Sequence, residues 1–370
     1  LRATADGDRL ATLIRLFVCG HPEPVEAVAR ALAPLPLDAA HAAGLVAQHP
    51  KGLVAGVELE PYGDEWWVVS DLPATARPGR SLPADHVLGV GGASATLAGL
   101  TVRRPVATAL DLGTGCGVQA LHLATHADAV TATDVNRRAL RFAATTAALS
   151  GQSWELRYGD LAAPVAGRRF DLVVSNPPFV VGPGWSSHAY RDSGREGDRI
   201  GAELAALAPA LLADGGVMQY LANWAHVAGE DWRDRVAGWF AGTGCDAWVI
   251  QREVTDPLSY VRLWATDAGQ GVDTDHTRAW LDWFDDHRIE AVGFGLVTLR
   301  RGGHDHPVVR VEDLRQPLEQ PFGVHVAAWF DRQDWLRGRD ADGLLDARYV
   351  AARSEEHTSA LQSLTNLVCR

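Results

Sequence analysis

Between residues 106 and 300, short apolar runs closed by polar or glycine-rich turns alternate with longer stretches in which apolar residues recur at helical spacing. Val106–Leu110, Ala129–Asp134, Trp154–Tyr158 and Phe170–Ser175 predict four strands, and Val118–Ala124 and Asn136–Ala143 predict helices between them. The first run is apolar at nearly every position, the pattern of a parallel strand covered on both faces. Further on, Ile200–Ala213 predicts a long helix stopped by Asp214-Gly-Gly216, followed by a strand at Val217–Leu221 and a helix at Trp232–Phe240. Ala247–Arg252 and Ala291–Thr298 complete the set as the last two strands. Their connection is far longer than a hairpin needs and carries a helix over His276–His287. Strands alternating with helices predict a seven-stranded, doubly wound α/β sheet over residues 86–302.

Before that sheet the pattern changes. Helices are expected over Arg9–Phe17, Glu23–Leu32 and Leu37–Ala47, then strands over Gly52–Glu60 and Trp66–Ser70 around the turn Pro61-Tyr-Gly-Asp64. Three helices and a hairpin in residues 1–71 resemble a winged helix. Such a unit reads DNA when its third helix presents basic or amide side chains. Here that helix offers almost nothing to a base edge, so a packing or substrate-presenting unit is the better reading. Residues 72–85, rich in proline, read as a linker.

Two motifs carry the chemistry. The first strand runs into Asp111-Leu-Gly-Thr-Gly-Cys-Gly117 and then a helix. Three glycines between a strand and a helix bring backbone close to a ligand, and the helix start offers free N–H groups to an anionic group. A dinucleotide loop would space its glycines as G-x-G-x-x-G. Here Gly113, Gly115 and Gly117 alternate and the acid precedes them, a pattern that resembles the class I S-adenosylmethionine-dependent methyltransferases with their Rossmann-like sheet. Asp134 closes the second strand, where a carboxylate can accept two hydrogen bonds from ribose hydroxyls. Asp160-Leu161 follows the third strand. A single Asp at a strand end is commonly a helix cap, but three in succession, one per βα unit, are hard to assign to capping alone. The resemblance implies that Asp111, Gly113, Thr114, Gly115 and Gly117 face the methionine part of S-adenosyl-L-methionine. It also implies that Asp134 and Val135 meet the ribose, and Asp160 and Leu161 the adenine.

The second motif, Asn176-Pro-Pro-Phe179, ends the fourth strand at the same sheet edge. Its prolines fix φ and remove two donors, leaving the Asn176 side-chain oxygen and the Pro177 carbonyl as a stiff pair of acceptors. An NH2 conjugated to a carbonyl or ring is a poor nucleophile. Acceptors on both its protons would orient it and favour lone-pair localisation, and Phe179 is placed to stack on a flat target. The bland alternative is a strand ended by prolines. The motif, with Val180-Val-Gly-Pro183 after it, resembles the N-P-P-[FY] signature of N-methyltransferases, most of all the release-factor glutamine methyltransferase group. That likeness implies a protein glutamine amide as acceptor, on a partner such as a translation factor. Exocyclic-amine methylation of rRNA or tRNA is the alternative, and a DNA-binding regulator that senses the cofactor is a third reading. Phe179 stands where tyrosine is more usual in the glutamine enzymes. The loop from Gly182 to Gly197 is a candidate substrate lid, with a loop of no role as the alternative. Gly89–Ser94 lines the cofactor mouth or is a plain surface turn.

Composition narrows little else. The net charge of −12 argues against a broad nucleic-acid footprint. Cys19, Cys116, Cys245 and Cys369 form no metal or redox spacing, so no metal and a reduced, cytoplasmic setting are expected. No stretch reads as a signal peptide or membrane span. Residues 303–352 read as the start of a further module, and residues 353–370 shift in composition like a translated sequencing adapter, so the natural C-terminus is expected to be missing. Oligomeric state is not legible.

Overall fold

In the computed structural model, residues 4, 7–76, 82–185, 190–267, 274–351 and 367–369 are described. Parts of the expected linker (77–81) and of the candidate lid (186–189) lie outside the described residues, as does most of the tail.

The centre is a sheet whose strands are β5 (Val106–Leu112), β6 (Ala127–Asp134), β7 (Glu155–Tyr158), β8 (Phe170–Ser175), β9 (Leu212–Val227), β10 (Asp246–Thr255), β11 (Ile289–Arg300) and β12 (Val309–Asp313), numbered after four shorter N-terminal strands. Their spatial order is β12-β10-β11-β9-β8-β5-β6-β7. β7, β6, β5, β8 and β9 run parallel, and β11 is antiparallel to both neighbours. All seven expected strands are present. The eighth, β12, comes from the stretch expected to open a further module and pairs in parallel with β10. Helix α11 (Gly323–Arg337), from the same stretch, buries Val326, Ala327, Trp329 and Phe330 in the core that holds Ala109, Trp248 and Ile250.

The chain order reverses between β5 and β8, whose register pairs Asp111 with Val174. Open α/β sheets bind ligands outside the strand carboxyl ends at such a switch point. The Ser175 hydroxyl ties the two ends by donating to the Leu112 carbonyl at 2.7 Å. Both motifs therefore leave the sheet side by side.

In the N-terminal unit three helices, α1 (Arg9–Leu13), α2 (Val25–Leu32) and α3 (Leu37–Ala42), precede β1 (Val46–His49), β2 (Gly52–Ala55), β3 (Glu58–Tyr62) and β4 (Trp66–Ser70). The third helix is shorter than its apolar spacing suggests. Gly44 adopts φ +73°, and Leu45 N–H returns to the Ala40 carbonyl, a left-handed cap that stops the helix. Val46 and Ala47, expected to end that helix, instead open the strand β1, which pairs with β2. The long strand expected over 52–60 is split. Gly56 N–H donates to Leu45 O, and a Cβ there would lie 2.1 Å from the Gly44 carbonyl oxygen, so the chain turns and β3 pairs with β4 instead.

The β3–β4 hairpin lies on helix α6 (Arg137–Leu149): Val69 N–H donates to Thr146 Oγ1 at 3.1 Å, and Ser150 Oγ bonds both Trp67 N–H and Trp67 C=O. Val68 and Val69 bury in one cluster with Cys116, Val118 and Phe142. Just after the hairpin, buried Asp71 receives Arg138 Nε at 2.9 Å and Val87 N–H at 3.0 Å. Among the described residues no helix is long and apolar enough to cross a membrane.

Candidate active site

The glycine loop is wound by its own backbone. Gly113, Gly115 and Gly117 have φ of +77°, +55° and +93°, a region costly for residues with a Cβ. At Gly117 a Cβ would also meet the Trp154 ring at 2.7 Å. Gly113 and Thr114 N–H groups both donate to Thr133 O, pinning the loop to the end of β6.

Asp111 is fully buried beneath this loop. Its Oδ2 accepts from Thr114 Oγ1 at 2.6 Å and from Ala120 N–H at 3.1 Å, joining strand, loop and helix α5 (Val118–Leu123). Its other oxygen, Oδ1, is buried with no hydrogen-bond partner. Burial pushes the carboxyl up to about 7 against the opposing pull of Thr114 and Ala120, with the Asp134 charge adding to the rise. An unpartnered buried acceptor on a strained acid suits a cationic ligand group.

Asp134 holds the neighbouring turn. Its Oδ2 accepts from Gly115 N–H at 2.9 Å and its Oδ1 from Asn136 N–H at 2.7 Å. Each oxygen keeps a second lone pair. Burial raises this carboxyl too, opposed by those same backbone donors. Val135 beside it is 55% exposed. Asn136 Nδ2 donates to Asp85 O, so the segment that follows the N-terminal unit lies over this turn. Asp160 is exposed and reached by Arg195 Nη2 at 3.4 Å, while Leu161 holds the uncommon φ of +44°.

Asn176 leaves β8 facing helix α4 (Gly92–Leu100). Its Nδ2 donates to Ser94 Oγ at 3.3 Å, and its Oδ1 is buried without a partner among the described residues. Pro177 is buried behind it. Phe179 is 9% exposed, with its ring against Phe294 (5.6 Å between centroids) and edge-on to Trp264 (6.1 Å). These aromatics hold the ring from the side of β11 and of helix α9 (Pro257–Asp267), which belongs to the long connection before it.

That connection braces the chain after the motif. Val181 N–H donates to the buried Tyr260 hydroxyl at 2.9 Å, which also accepts from Asn223 Nδ2 at 2.8 Å. Trp280, on helix α10 (Asp275–Asp286), donates to Val181 O. Pro183 bridges Glu196, Gly197 N–H returns to Gly182 O, and Arg191 donates to Trp264 O, so the described ends of the candidate lid are tied. The aromatic helix expected over 276–287 is thus core packing and a brace at once, with Trp280 and Phe284 buried.

The sequence motifs are brought together at one sheet edge, but several partners were invisible in them. Ser94 lay in a stretch that reads equally as a surface turn. Tyr260 gave no signal. Asn223 is one of two buried amides, with Gln219, in the mostly apolar run of β9. Among the described residues, Asp246, His304 and Asp334 form a group able to hold a metal. Both acids already receive arginines: Asp334 accepts from Arg300 Nη1 at 2.7 Å and Asp246 from Arg337 Nη1 at 2.8 Å. Burial would raise Asp246, yet the donors from Arg337, Val308 and Arg300 hold it at about 2.

A parallel sheet with a switch point, a glycine loop over a buried acid and an N-P-P-F exit from the next strand define a class I methyltransferase fold. Residues 91–228 match the model of the family described as methyltransferase small domain. Residues 1–56 match a domain family of unknown function. The chain is 34% identical over 114 residues to a ribosomal RNA small subunit methyltransferase C of Alcanivorax borkumensis, covering 31% of each chain. It is 37% identical over 126 residues to a release factor glutamine methyltransferase of Cereibacter sphaeroides, covering 30% of this chain and 45% of that one. A release factor glutamine methyltransferase of Deinococcus radiodurans is 47% identical over 73 residues, 19% of this chain and 26% of its own. The chain thus spans less than half the length of these curated relatives.

Proposed function

We propose that this chain is an S-adenosyl-L-methionine-dependent N-methyltransferase acting on a planar NH2 group, and that its acceptor is a protein glutamine amide. The observation that carries the reading is the Asn176 side-chain oxygen: a buried acceptor, without a partner, at the switch point beside the glycine loop. Unsatisfied buried acceptors cost about 1–3 kcal/mol and persist where a ligand completes them. Asp111 Oδ1 is a second such atom. The residues fit the cofactor: Asp111 and the Gly113–Gly117 turn would hold the methionine end, Asp134 and Val135 the ribose, and Asp160 and Leu161 the adenine. When bound, the cofactor supplies an electrophilic sulfonium methyl, which makes a strong general base unnecessary.

The chain's own part is orientation. Asn176 Oδ1 and the Pro177 carbonyl accept the two protons of the target NH2 and hold its nitrogen in place, while Phe179, gripped by Phe294 and Trp264, supports the flat group. The proton lost from nitrogen passes to water. The release factor enzymes among the relatives support the glutamine reading, and the negative net charge disfavours a polyanionic partner. Exocyclic-amine methylation of rRNA is the second reading, supported by the similarity to the ribosomal RNA enzyme.

The test is transfer of labelled methyl from S-adenosylmethionine into a cell extract, with Asn176→Ala as control. Asn176-dependent label that is lost on proteolysis fits a glutamine acceptor. Label lost with ribonuclease moves the acceptor to RNA, and label insensitive to Asn176→Ala removes the proposed role of that side chain.

A further inference from the structure

The amide of Asn176 has two ends of opposite character, and the reaction proposed above needs the oxygen end to face the acceptor. Turned over, it would present Nδ2 to an incoming NH2, donor against donor. The two differ only by rotation about the terminal torsion, and a neighbouring hydroxyl can serve as acceptor for Nδ2 or donor to Oδ1; the structure holds the first arrangement. Among the described residues one hydrogen bond reaches the amide, Ser94 Oγ at 3.3 Å from Nδ2, and none reaches Oδ1. Ser94 is itself fixed by a second buried amide. Gln119 Nε2 donates to the Ser94 carbonyl at 2.8 Å, and Gln119 is only 5% exposed. Gln119 belongs to α5, the helix that starts at the glycine loop, and its neighbour Ala120 donates to Asp111.

We propose that Ser94 is a positioning residue: its hydroxyl takes up the Asn176 NH2, leaves the amide oxygen for the methyl acceptor, and through Gln119 ties that orientation to the helix behind the cofactor loop. The proposal rests on the N-methyltransferase reading. It gives a role to the stretch Gly89–Ser94, which the sequence left open between cofactor mouth and plain loop and whose last three residues form the start of α4. The hydroxyl touches neither acceptor nor cofactor in this scheme, so its effect is on the reacting geometry alone. It predicts a loss in turnover with no loss in cofactor affinity.

The experiment compares wild type, Ser94→Ala, Ser94→Thr and Asn176→Ala. The measured quantities are the rate of labelled methyl transfer into the macromolecular fraction of a cell extract, KM and Kd for S-adenosylmethionine, and the melting temperature. Loss of one neutral hydrogen bond that acts only on orientation predicts a kcat about three- to tenfold lower for Ser94→Ala. Kd and melting temperature should hold, and Ser94→Thr, which keeps the hydroxyl, should recover most of the rate. Ser94→Cys, close in size but a weak acceptor, gives the same comparison should the alanine variant melt early. An unchanged kcat in Ser94→Ala, or a fall matched by weaker cofactor binding, overturns the proposal while leaving the wider reading intact. Full label from Asn176→Ala, or none from wild type, overturns that reading and this proposal with it.

Discussion

Replacing Asp111 by Asn tests the physical account of the site before any acceptor is known. Asn keeps an oxygen to accept from Thr114 and Ala120, placing its NH2 where Oδ1 now lies without a partner. In the folded chain burial moves this carboxyl from 3.8 to about 7. The unfolded chain therefore loses its proton first, and between those values the folded state binds more protons. The stability associated with Asp111 falls as pH rises through this window and levels off above about 7. At about 1.4 kcal/mol per unit, the full shift corresponds to a ceiling of about 4 kcal/mol, of which about 2.5 falls between about pH 5 and about pH 8. Urea unfolding of the cofactor-free chain at those two pH values should thus show the stability gap between Asp111→Asn and wild type widening by up to that amount, in favour of the variant at the higher pH. Groups that do not interact with Asp111 titrate equally in both proteins and cancel. A gap that moves by less than about 0.5 kcal/mol would refute the argument that an uncompensated buried charge sits under the loop.

Three further outcomes follow from the same geometry. Because a cationic ligand favours the carboxylate, wild-type affinity for S-adenosylmethionine should weaken as pH falls below about 7, whereas Asp111→Asn should bind more weakly with little pH dependence; isothermal titration across pH checks both. Gly117→Ala forces a Cβ into a left-handed position and against Trp154, and should cost about 1–3 kcal/mol by thermal melting; an unperturbed melt would mean that the loop relaxes freely. Tyr260→Phe strips the acceptor from Val181 N–H and Asn223 Nδ2, which should cost about 2–4 kcal/mol in denaturant unfolding and slow methyl transfer without changing cofactor affinity.

What the sequence disclosed and what it hid divide along physical lines. The strands of the parallel sheet were legible because burial on both faces leaves near-continuous apolar runs, and the two motifs because glycine and proline constrain the backbone wherever they stand. Of the N-terminal strands, Trp66–Ser70 stands where expected, but β1 was missed and the 52–60 run is split, because Gly44 and Gly56, each an isolated glycine, decide where a helix ends and a strand breaks, and only tertiary contacts show it. β12 is short and half exposed, its stretch reads as the start of a separate module, and its place in the sheet depends on pairing with a strand more than fifty residues earlier. The partners of Asn176 and Val181 come from positions far along the chain. Ser94 and Tyr260 carry no local pattern that would mark them.

The docking of the β3–β4 hairpin on α6 bears on how this chain can be re-engineered. Ser150, just past the end of α6, reads both backbone groups of Trp67, Thr146 accepts from Val69 N–H, and Arg138 grips Asp71, while Tyr62 and Trp66 meet His122 on α5, so two helices share the imprint of the hairpin. A foreign recognition unit grafted in its place would inherit Thr146, Ser150 and Arg138 as an orphaned socket, and Val118 and Phe142 as bare apolar surface. The transplantable cassette is therefore the hairpin together with its imprint on α5 and α6, and chimaeras that carry all of it should remain monodisperse where simple head swaps aggregate.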